Sequence, residues 1–413
     1  MTSVDTPTTG STKPMSGFNK LWAGETISQF GDRITELALP LIAVTTLAAG
    51  ATEVGLLTAA VWLPNLLSIL VGSWVDGQAH RRRLLIIADV LRALVLLSLP
   101  IAHWFGVVTL AQLFVVALFA GAGQVLFSAA YPSFFVGLVT RDRYVEANSK
   151  LSTSRSASFV AGPALGGFLI QILTAPVAML LDAVSFLWSA LFISRIQVAP
   201  SVPAESASPL AALSYVVRHP YLRAALACVT TVNFFTFVAQ ALVVLFASRT
   251  LGLPAGLIGL AFGLGALGGL LGAVVAPRLS RRYGVGRMVV LGAVLFPAPI
   301  ALIALAGGPL WVCFGALLLS EAVSGFGVMI FDINLNSVQA TVTADEMRSR
   351  VAGVFGTINY GARPVGAAVG GLMGTWLGLR PTLLVAAIGG ALCCLWLLPS
   401  PIPAIRTLDS VPA

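Results

Sequence analysis

Charge is what this sequence has least of. Asp, Glu, Lys and Arg together make up 10% of its 413 residues, against about 25% in an ordinary soluble chain, and that shortage excludes a water-soluble globule. Histidine is confined to His80, His103 and His219 at the ends of apolar segments, and cysteine to Cys228, Cys313, Cys393 and Cys394 inside apolar runs. With no CxxC pair and no Cys/His cluster, neither a metal site nor a disulfide framework is indicated. A GxxxxGK[ST] loop, an HExxH segment and a nucleophile elbow are also missing, so the sequence implies no ATP-driven machinery, no enzyme and no cofactor. The first 17 residues, MTSVDTPTTGSTKPMSG, lack a basic start, an apolar stretch and a cleavage site; they read as a disordered cytoplasmic tail and not as a signal peptide.

Apolar residues are abundant instead, at 57% of the chain, with a mean hydropathy of +0.93. Runs of about 20 apolar residues, the length of a membrane span, occur at 19–48, 53–75, 84–103, 107–131, 152–173, 177–196, 221–248, 255–277, 287–306, 310–333, 352–374 and 379–399. The expected fold is an all-α membrane protein with twelve transmembrane helices. If the N-terminus is inside, the cytoplasmic side receives Lys13, Lys20, Arg81–Arg83, Arg141, Arg143, Lys150, Arg195, Arg218, Arg223, Arg278, Arg281, Arg282, Arg287, Arg348, Arg350 and Arg406, and the opposite side only Arg249 and Arg380. This bias predicts that both termini are cytoplasmic. It also accounts for the net charge of +8 without any nucleic-acid partner.

The widest polar interruption, 197–220, divides the chain into a tail (1–17), a first six-helix half (18–196), a cytoplasmic linker (197–220), a second six-helix half (221–400) and a second tail (401–413). The halves repeat each other. GSWVDGQAHRRR at Gly72–Arg83 returns about 200 residues later as GAVVAPRLSRR at Gly272–Arg282, and AGPALGG at Ala161–Gly167 returns as ARPVGAAVGG at Ala362–Gly371. Paired six-span halves are a transporter plan, with the substrate site near the midplane between them.

These residues resemble the major facilitator superfamily. GSWVDGQAHRRR looks like its signature between spans two and three, and AGPALGG like the Gly-Pro motif in span five of its drug antiporters. FNKLWAGETISQFGDRITELALPLIA at Phe18–Ala43, with EVGLL, RRRLL and EANS further on, resembles the transmembrane secretion effector branch, which includes enterobactin and actinobacterial drug exporters. The likeness runs from Phe18 to Pro399 and implies export of a drug, siderophore or secondary metabolite. It also implies a cytoplasmic gate made of Gly72, Asp76, Arg81, Arg82, Asp89, Arg92, Arg281 and Arg282. One departure stands out: span four has Gln124 and no arginine inside its Gly-rich run, so a role given to that arginine in relatives does not transfer.

Polar residues inside the spans are the candidates for function. Glu25, Gln29, Asp32 and Glu36 share one face of the first span, and Asp32 and Glu36 lie about 18–24 Å beyond Lys20 at 1.5 Å per residue. Arg33 can pair with Glu36 along the helix but cannot neutralise two carboxylates, which leaves Asp32 and Glu36 for proton coupling or for a cationic substrate. Asp89 and Arg92 form an i,i+3 pair, structural or shared with the Asp76 gate. Asp182 is another buried charge, Glu321 is a second-half candidate with Arg363 as its interhelical partner, and Asp332 is expected at the interface. Trp62, Asn65, Gln124, Asn233 and Gln240, with Phe234, Phe235 and Phe237, suit a pocket for amphipathic molecules. Gly162, Gly166 and Gly167 beside Pro163, and Gly366, Gly370 and Gly371 beside Pro364, allow close helix packing.

The expected activity is alternating-access export of a small amphipathic molecule in exchange for protons, by a monomer in the lipid bilayer of the cytoplasmic membrane. An importer of a polar nutrient, driven by protons or facilitated, and a non-transporting receptor or scaffold remain as alternatives.

Overall fold

The computed structural model describes residues 16–196 and 209–408, and among these the chain is helical with no strand. Twelve long helices follow in order. They are α1 (Ser16–Leu41), α2 (Ala51–Asp76), α3 (Arg81–Trp104), α4 (Leu110–Leu138), α5 (Tyr144–Leu173), α6 (Ala175–Ser194), α7 (Pro220–Thr250), α8 (Ala255–Tyr283), α9 (Val285–Leu305), α10 (Leu310–Val342), α11 (Arg348–Trp376) and α12 (Leu379–Trp396). Ten of these are long and apolar enough to cross a membrane. The exceptions are α1, which carries five charged residues from Lys20 to Glu36, and α11, which combines arginines with a glycine-rich run.

Several boundaries differ from the sequence expectation. Helix α5 starts at Tyr144, eight residues early, because its polar first turns gain an i,i+4 ion pair between Glu146 and Lys150 at 3.0 Å. Only part of the 197–220 linker is loop-like in composition: Pro209–Arg218 is a helix packed against α7 and α11, while 197–208 lie outside the described residues. The expected 1–17 tail also lies outside them up to residue 15. The second tail is docked as far as it is described. The backbone N–H groups of Val285 and Gly286, in the first turn of α9, donate to the carbonyls of Arg406 (3.3 Å) and Ile405 (2.9 Å), and Ile402 and Ile405 are buried.

One backbone device recurs. Helix α1 ends in a π-turn at Ile42–Thr46 and α7 ends in one at Phe246–Thr250. Each is followed by matching carbonyl bonds, Leu47 N to Ile42 O with Ala49 N to Ala43 O, and Leu251 N to Phe246 O with Leu253 N to Ala247 O. Both then pass through a left-handed residue, Gly252 at φ +66° in one copy but Ala48 at φ +52° in the other, where a side chain costs about 1–2 kcal/mol.

The packing is tight at one end and divided at the other. Helices of the first six meet those of the last six along two seams, α2 on α11 and α5 on α8. In a bilayer, helices associate through close packing of small residues, and both seams are made of glycine. A Cβ on Gly55 would fall 2.4 Å from Gly371 Cα, and one on Gly259 would fall 2.2 Å from the Pro163 carbonyl. Thr52 and Thr375 share a hydroxyl bond of 2.7 Å, and Arg249 donates to the Val44 carbonyl at 2.9 Å across the same end. One continuous buried cluster joins both sets of helices there. Towards the other end α2 and α11 diverge: Gly361 still meets Leu66, but among the described residues nothing approaches within 4 Å of a Cβ on Gly72, Gly353 or Gly356. The buried residues at that end fall into separate clusters, one set from the first six helices and another from the last six and the segments flanking them. The result is a cleft closed at one end. Its open side includes a cavity of about 520 Å³ lined by Ser149, Ser152, Thr153, Ser156 and Leu270 between α5 and α8.

Candidate functional site

The carboxylates of α1 converge with charged groups of α3 and α6. Gln29 donates to Glu25 at 3.1 Å, and Arg33 pairs with Glu36 at 2.6 Å, as helical spacing predicts. Glu36 remains 59% exposed, more open than Asp32 at 28%. The Arg33 stem lies in the notch left by Gly162, where a Cβ would be 2.5 Å from its Cγ, and its guanidinium faces the Phe159 ring at 5.5 Å.

Asp32 has a partner that its own helix does not supply. Arg92 of α3 donates to the Asp32 carboxylate and lies on the Phe186 ring of α6, 3.7 Å from its centroid, a cation–π contact that lowers the cost of burying the guanidinium. This corrects the pairing of Arg92 with Asp89: among the described residues its ion pair is with Asp32 on another helix. Arg92 is 9% exposed and Asp89 1%, well inside the bundle. Gly123 of α4 makes room, since a Cβ there would sit 2.6 Å from Arg92 Cγ. The cation beside the α1 carboxylate therefore comes from α3, whereas Gln124 of α4 is exposed and bonds Ser128 of its own helix.

Asp182 of α6 was visible in the sequence as a buried charge but had no assigned place. It is fully buried, accepts from the Thr35 hydroxyl of α1 and from Ser185 at 3.1 Å, and packs so close to Gly31 that a Cβ there could not fit. Asp89 has an oxygen with no hydrogen-bond partner among the described residues. Glu25, Asp32, Glu36, Asp89 and Asp182 thus share one region with Arg33, Arg92 and Arg155, a surplus of carboxylates over cations.

The second set of helices holds a different arrangement. Arg363 of α11 does not reach Glu321, whose stem packs against Gly265 of α8; depth along a helix does not fix which way it faces, so the expected pair fails. Arg363 Nε donates to Asn233 Oδ1 of α7 at 3.2 Å. Its guanidinium lies 4.4 Å from the Trp62 and Tyr360 ring centroids and 5.0 Å from that of Phe237. Tyr360 escaped the sequence reading, although it sits one helical turn from Arg363. Asn65 bonds the Trp62 carbonyl, and Gln240 is exposed.

At the open end Arg81 pairs with Asp76 at 3.5 Å and donates to its carbonyl, while Arg82 caps the chain after α6 through the Ile196 carbonyl at 2.7 Å. Arg281 and Arg282 lie in the last turn of α8, with Arg282 over Tyr283. Of the Gly-Pro motif, Gly162 and Gly166 face α1 and Gly167 faces Gly259.

A many-spanned helical protein with a one-ended cleft and charged groups held inside it is a membrane transporter. The family model described as Major Facilitator Superfamily matches residues 21–366 and 241–413, and the chain belongs to that family. It is 27% identical over 414 aligned positions to the multidrug efflux pump Tap of Mycolicibacterium fortuitum, covering 92% of this chain and 94% of that one. It is 26% identical to an uncharacterized MFS-type transporter, YfiS, of Bacillus subtilis, covering 89% of each. Among solved structures the fold is similar to the nucleoside transporter NupG, with a TM-score of 0.72 at 13% identity, covering 96% of this chain and 100% of that one. A bacterial homologue of the iron transporter ferroportin in an inward-facing state gives a TM-score of 0.70 at 19% identity, covering 94% and 100%.

Proposed function

We propose that this protein exports a small amphipathic molecule by alternating access, in exchange for protons. In this reading it is a monomer of twelve spans, two six-helix halves and cytoplasmic termini in the cell's inner membrane. The observation that carries the proposal is the carboxylate surplus around α1, with Glu36 open and Asp32 bonded across to α3. Protonating Asp32 releases Arg92, and protonating Glu36 releases Arg33, so either event loosens a tie that fixes α1 against its neighbours. A substrate entering the cleft and a proton leaving it then compete for one set of contacts. Export as the direction is supported by the names of the relatives, and a cytoplasmic opening by the lysines and arginines that cluster at the open end. Gate roles for Asp76, Arg81 and Arg82, and a role for Glu321, belong to the same proposal.

The test uses inside-out vesicles loaded by an imposed pH gradient, with a panel of fluorescent drugs and siderophores. The parent is expected to accumulate at least one compound severalfold when the gradient is present. Asp32→Asn and Glu36→Gln are expected to lose most of that stimulation while still folding. Full gradient-driven transport in both variants sinks the proton-coupling reading.

A further inference from the structure

We infer that Arg363, with Trp62, Tyr360 and Phe237, forms a recognition site for an anionic group carried on an aromatic substrate. The inference rests on the transporter reading above and names a chemical feature of its cargo.

Four observations lead to it. Arg363 sits in the middle of α11, where a cation is costly unless paired. Yet among the described residues no carboxylate lies within ion-pairing distance, that is, 4.0 Å. Asp332 of α10 acts on it only at longer range. Second, its hydrogen bond among those residues is to a neutral amide, from Nε to Asn233. That bond sets the plane of the guanidinium, while the Nη atoms have no acceptor among the described residues and keep some exposed surface. A guanidinium held by one edge presents its other edge for a two-pronged grip on a carboxylate or similar anion. Third, the rings come from both sets of helices, Trp62 from α2, Phe237 from α7 and Tyr360 from α11. Trp62 and Tyr360 are nearly parallel, at 12° and 6.1 Å, and Trp62 meets Phe237 edge-on at 5.1 Å. They offer flat apolar surface next to the cation. Fourth, the site lies between the glycine seam at Gly55 and Gly371, which blocks it at the closed end, and the contact of Gly361 with the Leu66 side chain, beyond which α2 and α11 part. A flexible side chain and not backbone therefore stands between it and the open part of the cleft.

A purely structural clasp would use the arginine to hold Trp62 against α7 and α11 with no preference among ligands. Ligand charge separates the two ideas. The probes are a xanthene dye carrying a free benzoate and the same dye as its ethyl ester, which differ in one negative charge. Binding to the purified full-length protein in detergent micelles is read by fluorescence polarisation. The parent is expected to bind the acid about tenfold more tightly than the ester, the scale of a charge-assisted hydrogen bond. Arg363→Gln should bring the two affinities together. Arg363→Lys, which keeps the charge and loses the planar fork, should leave a preference of about threefold. Trp62→Ala should weaken both dyes and keep their ratio. A parent with no preference for the acid overturns the inference, as does Arg363→Gln or Arg363→Lys retaining the full parental ratio. The assay needs no pH gradient and no net transport. Failure of proton-driven export with the ratio intact therefore counts against the functional reading alone.

Discussion

Replacing Arg92 by glutamine is expected to remove about 3–5 kcal/mol of stability, the usual cost of taking one partner from a buried ion pair. The reasons lie within three helices. Arg92 answers Asp32 directly, lies on the Phe186 ring and is a cation whose field reaches Asp89 and Asp182. Without it, three carboxylates face one another across α1, α3 and α6, and the Gly123 notch that accepts the arginine stem is left partly empty. The measurement is the thermal unfolding midpoint of the purified protein in detergent. The double variant Arg92→Gln with Asp32→Asn removes both charges of the pair and should recover at least about 1 kcal/mol, within the range of coupling energies for contacting residues. An Arg92→Gln midpoint equal to the parent's contradicts the assignment, and so does a double variant no more stable than the single.

The second large effect concerns the glycine seams. Gly371→Val and Gly259→Val place side chains against backbone that cannot move aside: a Cβ on Gly371 is 2.8 Å from the Ala51 carbonyl, and one on Gly259 is 2.8 Å from Gly167 Cα. Overpacking of this kind costs about 1–3 kcal/mol. Both contacts run between the two sets of helices and exist only while that end is closed, so the cost falls on the closed arrangement and not on the fold. Its population should drop about ten- to a hundredfold. A single cysteine replacing Ala51, which is buried in the same seam, in a background freed of the native cysteines, should then react with a maleimide faster than in the parent. Gly268 gives the control, since its Cβ would lie 1.9 Å from the Ala322 carbonyl, within the last six helices. Gly268→Val should lower the unfolding midpoint without raising Ala51→Cys reactivity. Unchanged reactivity in both folded seam variants would falsify the account of the seams.

The sequence made the α1 stripe readable because spacing of three and four residues fixes one helical face whatever surrounds it. The Arg33–Glu36 pair followed from the same rule. Arg92 was misread for the complementary reason: Asp89 and Arg92 satisfy the same spacing, but the rotation of α3 against α1 and α6 decides which acid the guanidinium meets. That rotation depends on a notch at Gly123 and a ring at Phe186, both on other helices. Glu321 and Arg363 failed alike, since equal depth says nothing about facing direction. The glycine motifs announced close packing without naming partners. At the ends, Pro209–Arg218 is too short for its period to stand out beside VAPSVPAESASP, and the final prolines read as an open tail although the carbonyls that follow them are engaged.

That last engagement has a consequence for how the protein is made. The first two N–H donors of α9 are satisfied by carbonyls at Ile405 and Arg406, and Gly286 is bare because a side chain there would sit 1.8 Å from the Ile402 carbonyl. Helix α9 therefore enters the membrane with its leading turn unfinished. The piece that completes it leaves the ribosome only after α10, α11 and α12 have been synthesised. The carboxy-terminal stretch is in this sense a latch, and its closing is among the last events of assembly.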